Sequence, residues 1–196
     1  MNLIFLTVAG FAMADDLFST PPLPAQGYRI AQGCFGMRRH PIFRVRRMHK
    51  GIDLNQTPLG TPVRSIGPGK IVYAGWGKGF GRIVIIQHSN GYLSSYAHLS
   101  SFGKGIKIGA QVDSGTQIGR VGSTGYSTGP HLEFEIRKGW ARSYQGFLAQ
   151  KPIDPMLAMG RVLIASSRDR ANHCTIGGWR GGQSAPRVSS RGAVTR

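Results

Sequence analysis

Acidic residues are scarce in this chain: Asp and Glu number 8 against 25 Lys and Arg, for a formal charge of +17 over 196 residues. Such a surface seeks polyanions, and nucleic acid, anionic cell-wall polymers and lipid head groups all qualify, so charge alone does not choose among them. Cysteine is almost missing. Two residues, Cys34 and Cys174, exclude a multi-bridge disulfide framework and leave either one bridge in an oxidising compartment or two unrelated thiols. No stretch reaches the roughly 20 apolar residues of a membrane-spanning helix. The nearest, 1–14, ends in Ala12-Met13-Ala14 before Asp15 and Asp16, and reads as a secretory signal with its cleavage site, although no basic residue precedes it. A long amphipathic helical pattern is missing too, which turns the reading away from an all-α fold.

What the chain has in plenty is glycine, 29 residues, about twice average usage, as suits an all-β domain with many tight turns. At 196 residues there is room for one domain with a real core and not for two comfortable ones. Residues 15–32 carry Pro21-Pro22-Leu23-Pro24 and read as an extended linker, because proline removes donors and fixes the backbone. From 33 to 160 short β-branched and aromatic runs alternate with glycine. Strands are expected at 71–74, 82–87, 106–108, 117–121 and 131–137, with Ser89-Asn90-Gly91 as a hairpin turn into 92–98. Residues 161–196 form a basic tail rich in Gly, Ser and Arg, too poor in apolar area to offset its ordering entropy.

Two glycine-rich stretches carry no phosphate site: Gly75 to Gly81 leads into a strand rather than a helix, and Gly103 to Gly109 fails the same test. The histidines and carboxylates are more informative. His49 and Asp53 stand four apart with Gly51 between them, letting the backbone bend so that both face one point; imidazole and carboxylate are ordinary zinc ligands. His98 falls on the face of Tyr96, Ser94 and Tyr92 by strand alternation. Along Gly122-Ser123-Thr124-Gly125-Tyr126-Ser127-Thr128-Gly129-Pro130-His131-Leu132-Glu133-Phe134-Glu135, alternation puts His131 and Glu133 on one side and Leu132 and Phe134 on the other.

These segments in this order resemble the lysostaphin-type or LytM-type zinc metalloendopeptidases, which cut peptides of bacterial peptidoglycan. The resemblance opens with Phe35-Gly36-Met37-Arg38-Arg39-His40-Pro41, runs through His49-Lys50-Gly51-Ile52-Asp53, Asn90-Gly91-Tyr92, Tyr96-Ala97-His98-Leu99-Ser100 and Gly122 to Arg137, and ends near Pro152-Ile153-Asp154-Pro155. It implies a mainly β fold, an antiparallel β-sheet groove whose floor holds one Zn²⁺. It also implies that His49 and Asp53 are metal ligands and that His98 and His131 are catalytic without touching the metal, one as general base and the other as oxyanion stabiliser. The third ligand of the family pattern is the second His of an HxH motif, and that position here is Glu133.

A carboxylate is a competent zinc ligand, so His49, Asp53 and Glu133 would still leave one open position. Two anionic ligands neutralise the ion formally and weaken it as a Lewis acid. Two other readings stay open. Zinc could sit on His49, Asp53 and His131 with Glu133 as general base, or the site could be lost, leaving a non-catalytic degenerate module that binds peptidoglycan or activates another cell-wall hydrolase. The expected partners are peptidoglycan and, through the basic surface, anionic wall polymers, with no specific nucleic acid; the expected location is exported, periplasmic or cell-wall associated.

Overall fold

The strands follow the chain as Gly36–Arg39 (β1), Arg46–His49 (β2), Ile52–Leu54 (β3), Pro62–Arg64 (β4), Gly69–Gly77 (β5), Gly81–Gln87 (β6), Tyr92–Leu99 (β7), Ser101–Phe102 (β8), Gln111–Val112 (β9), Gln117–Arg120 (β10), Leu132–Lys138 (β11) and Lys151–Ile153 (β12). Among the described residues two helices, Tyr144–Ala149 (α1) and Pro155–Ser166 (α2), come late. The computed structural model describes residues 18–25, 28–30, 33–166 and 174, so the expected signal and most of the expected tail lie outside the described residues. The main sheet runs β12-β11-β7-β6-β5-β9, with β3 added against β11, and every pairing is antiparallel. A three-stranded sheet β4-β10-β8 and the β1-β2 hairpin complete it. The fold is mainly β and antiparallel, as expected.

Alternation decides what each face of the main sheet carries. Leu132, Phe134 and Ile136 of β11 join Ile52, Val84 and Tyr96 in the larger core, and burying a side chain of that size contributes about 1.5–3 kcal/mol. On the opposite face Val72, Ile83, Ile85, Leu93 and Ala97 pack under Phe147 of α1. Where α1 stops covering that face, the sheet floor opens into a groove. Arg137 ties the helix to β11: its Nη1 donates to Leu148 O at 2.9 Å and Gln150 O at 3.2 Å, carbonyls at the helix C-terminal end, while Glu135 Oε2 takes Nε at 2.8 Å.

Several expectations need correction. Residues 106–108 are not a strand, because Gly105 and Gly109, at φ of 75° and 89°, turn the chain on either side of them. The described residues of the expected linker pack onto the domain: Phe18, Leu23, Tyr28 and Ile30 are buried in the larger core, and Pro22 O accepts from Arg64 N at 2.8 Å. The domain also continues past 160. Asp154 Oδ1 accepts from Met156 N and Pro155 stands at the helix start, and α2 runs to Ser166 with a kink at Met159. Cys34 and Cys174, left open by the sequence, are joined in a disulfide.

Candidate metal and catalytic centre

The HxxxD segment is pressed against β11. A Cβ on Gly51 would overlap Phe134 O and Glu135 Cγ, so glycine is needed there for close approach, and not for the backbone bend that the spacing implied. Close approach lets β3 pair with β11 in a register that sets Asp53 directly opposite Glu133. Directly opposed residues share a face, which brings the two carboxylates together beside His49 at the end of β2.

His49 is a buried ring with one nitrogen spoken for. Its Nδ1 donates to Cys34 O at 2.9 Å, since a carbonyl can only accept. Nε2 is buried without a hydrogen-bond partner and lies 3.3 Å from Asp53 Oδ1 and 3.7 Å from Glu133 Oε1. Each carboxylate uses its other oxygen outward. Arg38 Nη2 donates to Asp53 Oδ2 at 2.8 Å, and His98 Nε2 stands 3.0 Å from Glu133 Oε2. Burial opposes charge on His49, but Asp53 and Glu133 outweigh it and push its pKa to about 10. Burial likewise opposes ionisation of Asp53 and Glu133; His49 together with Arg38 holds Asp53 below the usual carboxylate range, and His49 together with His98 does the same for Glu133.

Three atoms of ligand type therefore converge on one point, His49 Nε2 with one oxygen from each carboxylate. Two ligands bound at about 2.0–2.1 Å around a tetrahedral zinc stand roughly 3.3–3.4 Å apart, close to the 3.3 and 3.7 Å separations from His49 Nε2. Among the described residues no three such side chains stand as a ready-made metal centre. The fit lies in the atom types, the buried nitrogen without a hydrogen-bond partner and the spacing.

His98 reaches this point by a departure from strand alternation. Phe134 pairs with Tyr96 and Glu133 with Ala97, so plain alternation would send His98 to the core side with Tyr96. Instead the β6-β7 register slips between Arg82 and Val84, and His98 takes a φ of 61°. This bulge puts Ala97 and His98 together on the groove side, as bulges beside active sites commonly do. A non-glycine residue in that region costs about 1–2 kcal/mol, offset by two bonds: Nδ1 donates to Thr124 O at 2.7 Å, and Nε2 meets Glu133. Burial opposes charge on His98, and Glu133 outweighs it, raising the pKa.

His131 precedes β11 and bridges to Gly122. Its Nδ1 donates to Gly129 O at 2.8 Å, and Nε2 lies 3.8 Å from Asp53 Oδ1. The glycine-rich lead-in is tied down from below: Gly125, at φ 77°, packs where a Cβ would overlap Gly79 and Gly81, and Tyr126 N donates to Gly79 O at 2.7 Å. All five residues singled out by sequence, His49, Asp53, His98, His131 and Glu133, thus line one groove of about 700 Å³. Sequence reasoning missed the backbone carbonyls of Cys34, Thr124 and Gly129 that orient the three rings, for which no side-chain signal exists. It also named Arg38 only within the stretch that opens the resemblance, with no part in the site. The groove walls are apolar and basic, with Phe43 of the β1-β2 loop in edge contact with Tyr126 across it and Arg47, Lys50 and Lys78 among the lining residues.

Residues 47–155 match the pattern of Peptidase family M23. Peptidoglycan DD-endopeptidase ShyA of Vibrio cholerae is 38% identical over 109 residues, 56% of this chain and 25% of that protein. The catalytic domain of the antimicrobial peptidase lysostaphin from Staphylococcus simulans superposes with a TM-score of 0.53 at 35% identity, over 66% of this chain and 90% of that one. A zinc containing peptidase from Vibrio cholerae does so with a TM-score of 0.55 at 32% identity, over 70% of this chain and 39% of that one. This chain spans about a quarter of the length of the curated relatives it matches.

Proposed function

We propose a function from one premise: the chain belongs to peptidase family M23. Within that family it is a zinc-dependent endopeptidase that hydrolyses peptide cross-links of bacterial peptidoglycan, with His49, Asp53 and Glu133 holding the ion. What carries this reading is the buried Nε2 of His49, without a hydrogen-bond partner and facing one oxygen from each of two carboxylates. When bound there, zinc supplies a Lewis acid that polarises the scissile carbonyl and acidifies a water.

The residues divide the remaining work. His131 is held by Gly129 O with Nε2 open to the groove, so it accepts the nucleophile's proton and returns it to the leaving amine. His98 has both nitrogens engaged, Nδ1 on Thr124 O and Nε2 on Glu133 Oε2. A second proton therefore lies between His98 and Glu133, and His98 cannot take another; it holds Glu133 in place and draws charge from it. Arg38 does the same for Asp53. These two outward contacts offset the extra negative charge that Glu133 brings in place of a neutral imidazole, and so support an active site rather than a relic. Arg47, Lys50 and Lys78 on the groove walls suit the carboxylates of peptidoglycan stem peptides.

The Cys34–Cys174 disulfide supports export to an oxidising compartment, where the +17 charge also suits anionic wall polymers. The test is metal content followed by digestion. Purified chain exposed to zinc and desalted should retain about one ion and release peptides from purified peptidoglycan, and a chelator should stop the release. A chain that retains no zinc is instead a non-catalytic peptidoglycan-binding or activating module.

A further inference from the structure

The metal ligands of this chain lean on a segment that precedes them. Gly33 O accepts from Asp53 N at 2.8 Å, and a Cβ on Gly33 would overlap Asp53 Cβ. The next residue, Cys34, gives its carbonyl to His49 Nδ1 at 2.9 Å. Upstream, Arg29 and Asn55 exchange both backbone bonds, at 2.9 and 2.8 Å. Arg29 and Gly33 thus lie beside β3 and the residue that follows it, and Gly33 and Cys34 touch both members of the His49–Asp53 pair. Cys34 is then bonded to Cys174, 140 residues away and beyond α2, and both cysteines are buried.

We propose that the Gly33–Cys34 segment, fastened by the Cys34–Cys174 disulfide, is a positioning clamp for the two metal ligands, so that metal affinity depends on the disulfide. The inference rests on the reading of His49 and Asp53 as ligands. Neither contact uses a side chain of the clamp. The segment is held by the Arg29–Asn55 backbone pair before it, by the Gly36–His49 pairing of β1 with β2 after it and by burial of Cys34 in the larger core, and the disulfide adds the covalent tie at the residue whose carbonyl meets Nδ1. With Cys34 free, its carbonyl can drift from Nδ1, and His49 Nε2 is then no longer aimed between Asp53 and Glu133. Loss of groups that orient a ligand ordinarily weakens metal binding by about 10–100-fold.

The experiment compares the full oxidised chain with Cys34→Ser/Cys174→Ser, which leaves the Cys34 carbonyl in place and removes only the covalent tie. Zinc affinity is read by competition with a chromophoric chelator, at a temperature where both chains are folded by circular dichroism. The expected result is at least tenfold weaker zinc binding in the variant. The second readout is the imidazole Nδ1–H of His49 in ¹H–¹⁵N spectra, slow to exchange with the disulfide and fast without it; a disulfide that only stabilised the fold would not move it. Should the serine pair fail to fold, Cys34→Ala/Cys174→Val suits the buried setting and is measured the same way. Equal affinities within twofold, with an equally protected Nδ1–H, overturn the clamp. If the oxidised chain takes up no zinc, the ligand reading fails, and the clamp is judged on the His49 proton alone.

Discussion

Zinc uptake should expel a proton, and His49 sets how many and at what cost. In the metal-free chain Nδ1 donates to Cys34 O while Nε2 faces Asp53 and Glu133 at 3.3 and 3.7 Å. Burial disfavours a charged ring, but the carboxylates outweigh it and the pKa stands at about 10. At pH 7.5 the ring is therefore charged, and a metal at Nε2 must displace its proton. Over the roughly two to three pH units between, at about 1.4 kcal/mol each, that displacement costs on the order of 3 kcal/mol. Affinity should rise about tenfold per pH unit across this range. The stability of the metal-free chain runs the other way. A folded pKa raised above the unfolded value contributes fully below about pH 6.5 and is lost as pH climbs to 10, so its melting temperature should fall over that window while the zinc-loaded chain stays flatter. Calorimetric titration with zinc at pH 7.5, in buffers of different ionisation enthalpy, counts the protons directly. About one released per ion is expected from His49; no release, together with an affinity that does not change between pH 6.5 and 8.5, would refute the reasoning.

Three further outcomes follow from other parts of the molecule. His131→Ala should leave zinc binding intact and cut peptidoglycan turnover by about 10²–10⁴-fold, the usual share of a general base; equal loss of metal and turnover would instead make His131 a ligand. Phe134→Ala removes a fully buried ring from the larger core beside Tyr96 and should destabilise the fold by about 3–5 kcal/mol in urea unfolding, whereas a loss under 1 kcal/mol would mean that the site strand does not depend on that layer. His88 is buried with Nδ1 donating to Pro68 O at 2.7 Å and Nε2 2.8 Å from Ser94 Oγ, and burial lowers its pKa. Its unfolded form therefore binds the proton first, and stability should fall as pH drops below about 6.5; in His88→Gln that part of the melting profile should flatten, and an unchanged slope would contradict the assignment.

How much of this was legible in the sequence depends on whether local rules governed the residue. Alternation along β11 was readable because the strand is regular there: Leu132, Phe134 and Ile136 do enter the core and Glu133 and Glu135 do face the groove. Alternation failed at His98 because the bulge that turns it arises from β7 pairing with β6, a fact about two strands that no single segment carries. Gly51 was singled out for the wrong reason, since the backbone it approaches belongs to a strand more than eighty residues later. The Cys34–Cys174 bridge joins residues 140 apart, which spacing cannot pair. Residues 15–32 looked like a linker because the prolines there lack donors. Yet proline keeps its carbonyl, and Phe18, Leu23, Tyr28 and Ile30 supply the apolar area that holds the described residues of that stretch down.

The central claim is that Glu133 completes a working metal site with His49 and Asp53. The most direct test is zinc per chain after loading and desalting, for the native chain beside Glu133→Ala and His131→Ala. The account predicts about one ion in the native chain and in His131→Ala, and none in Glu133→Ala. Stoichiometric zinc in Glu133→Ala, or none in the native chain, would contradict it.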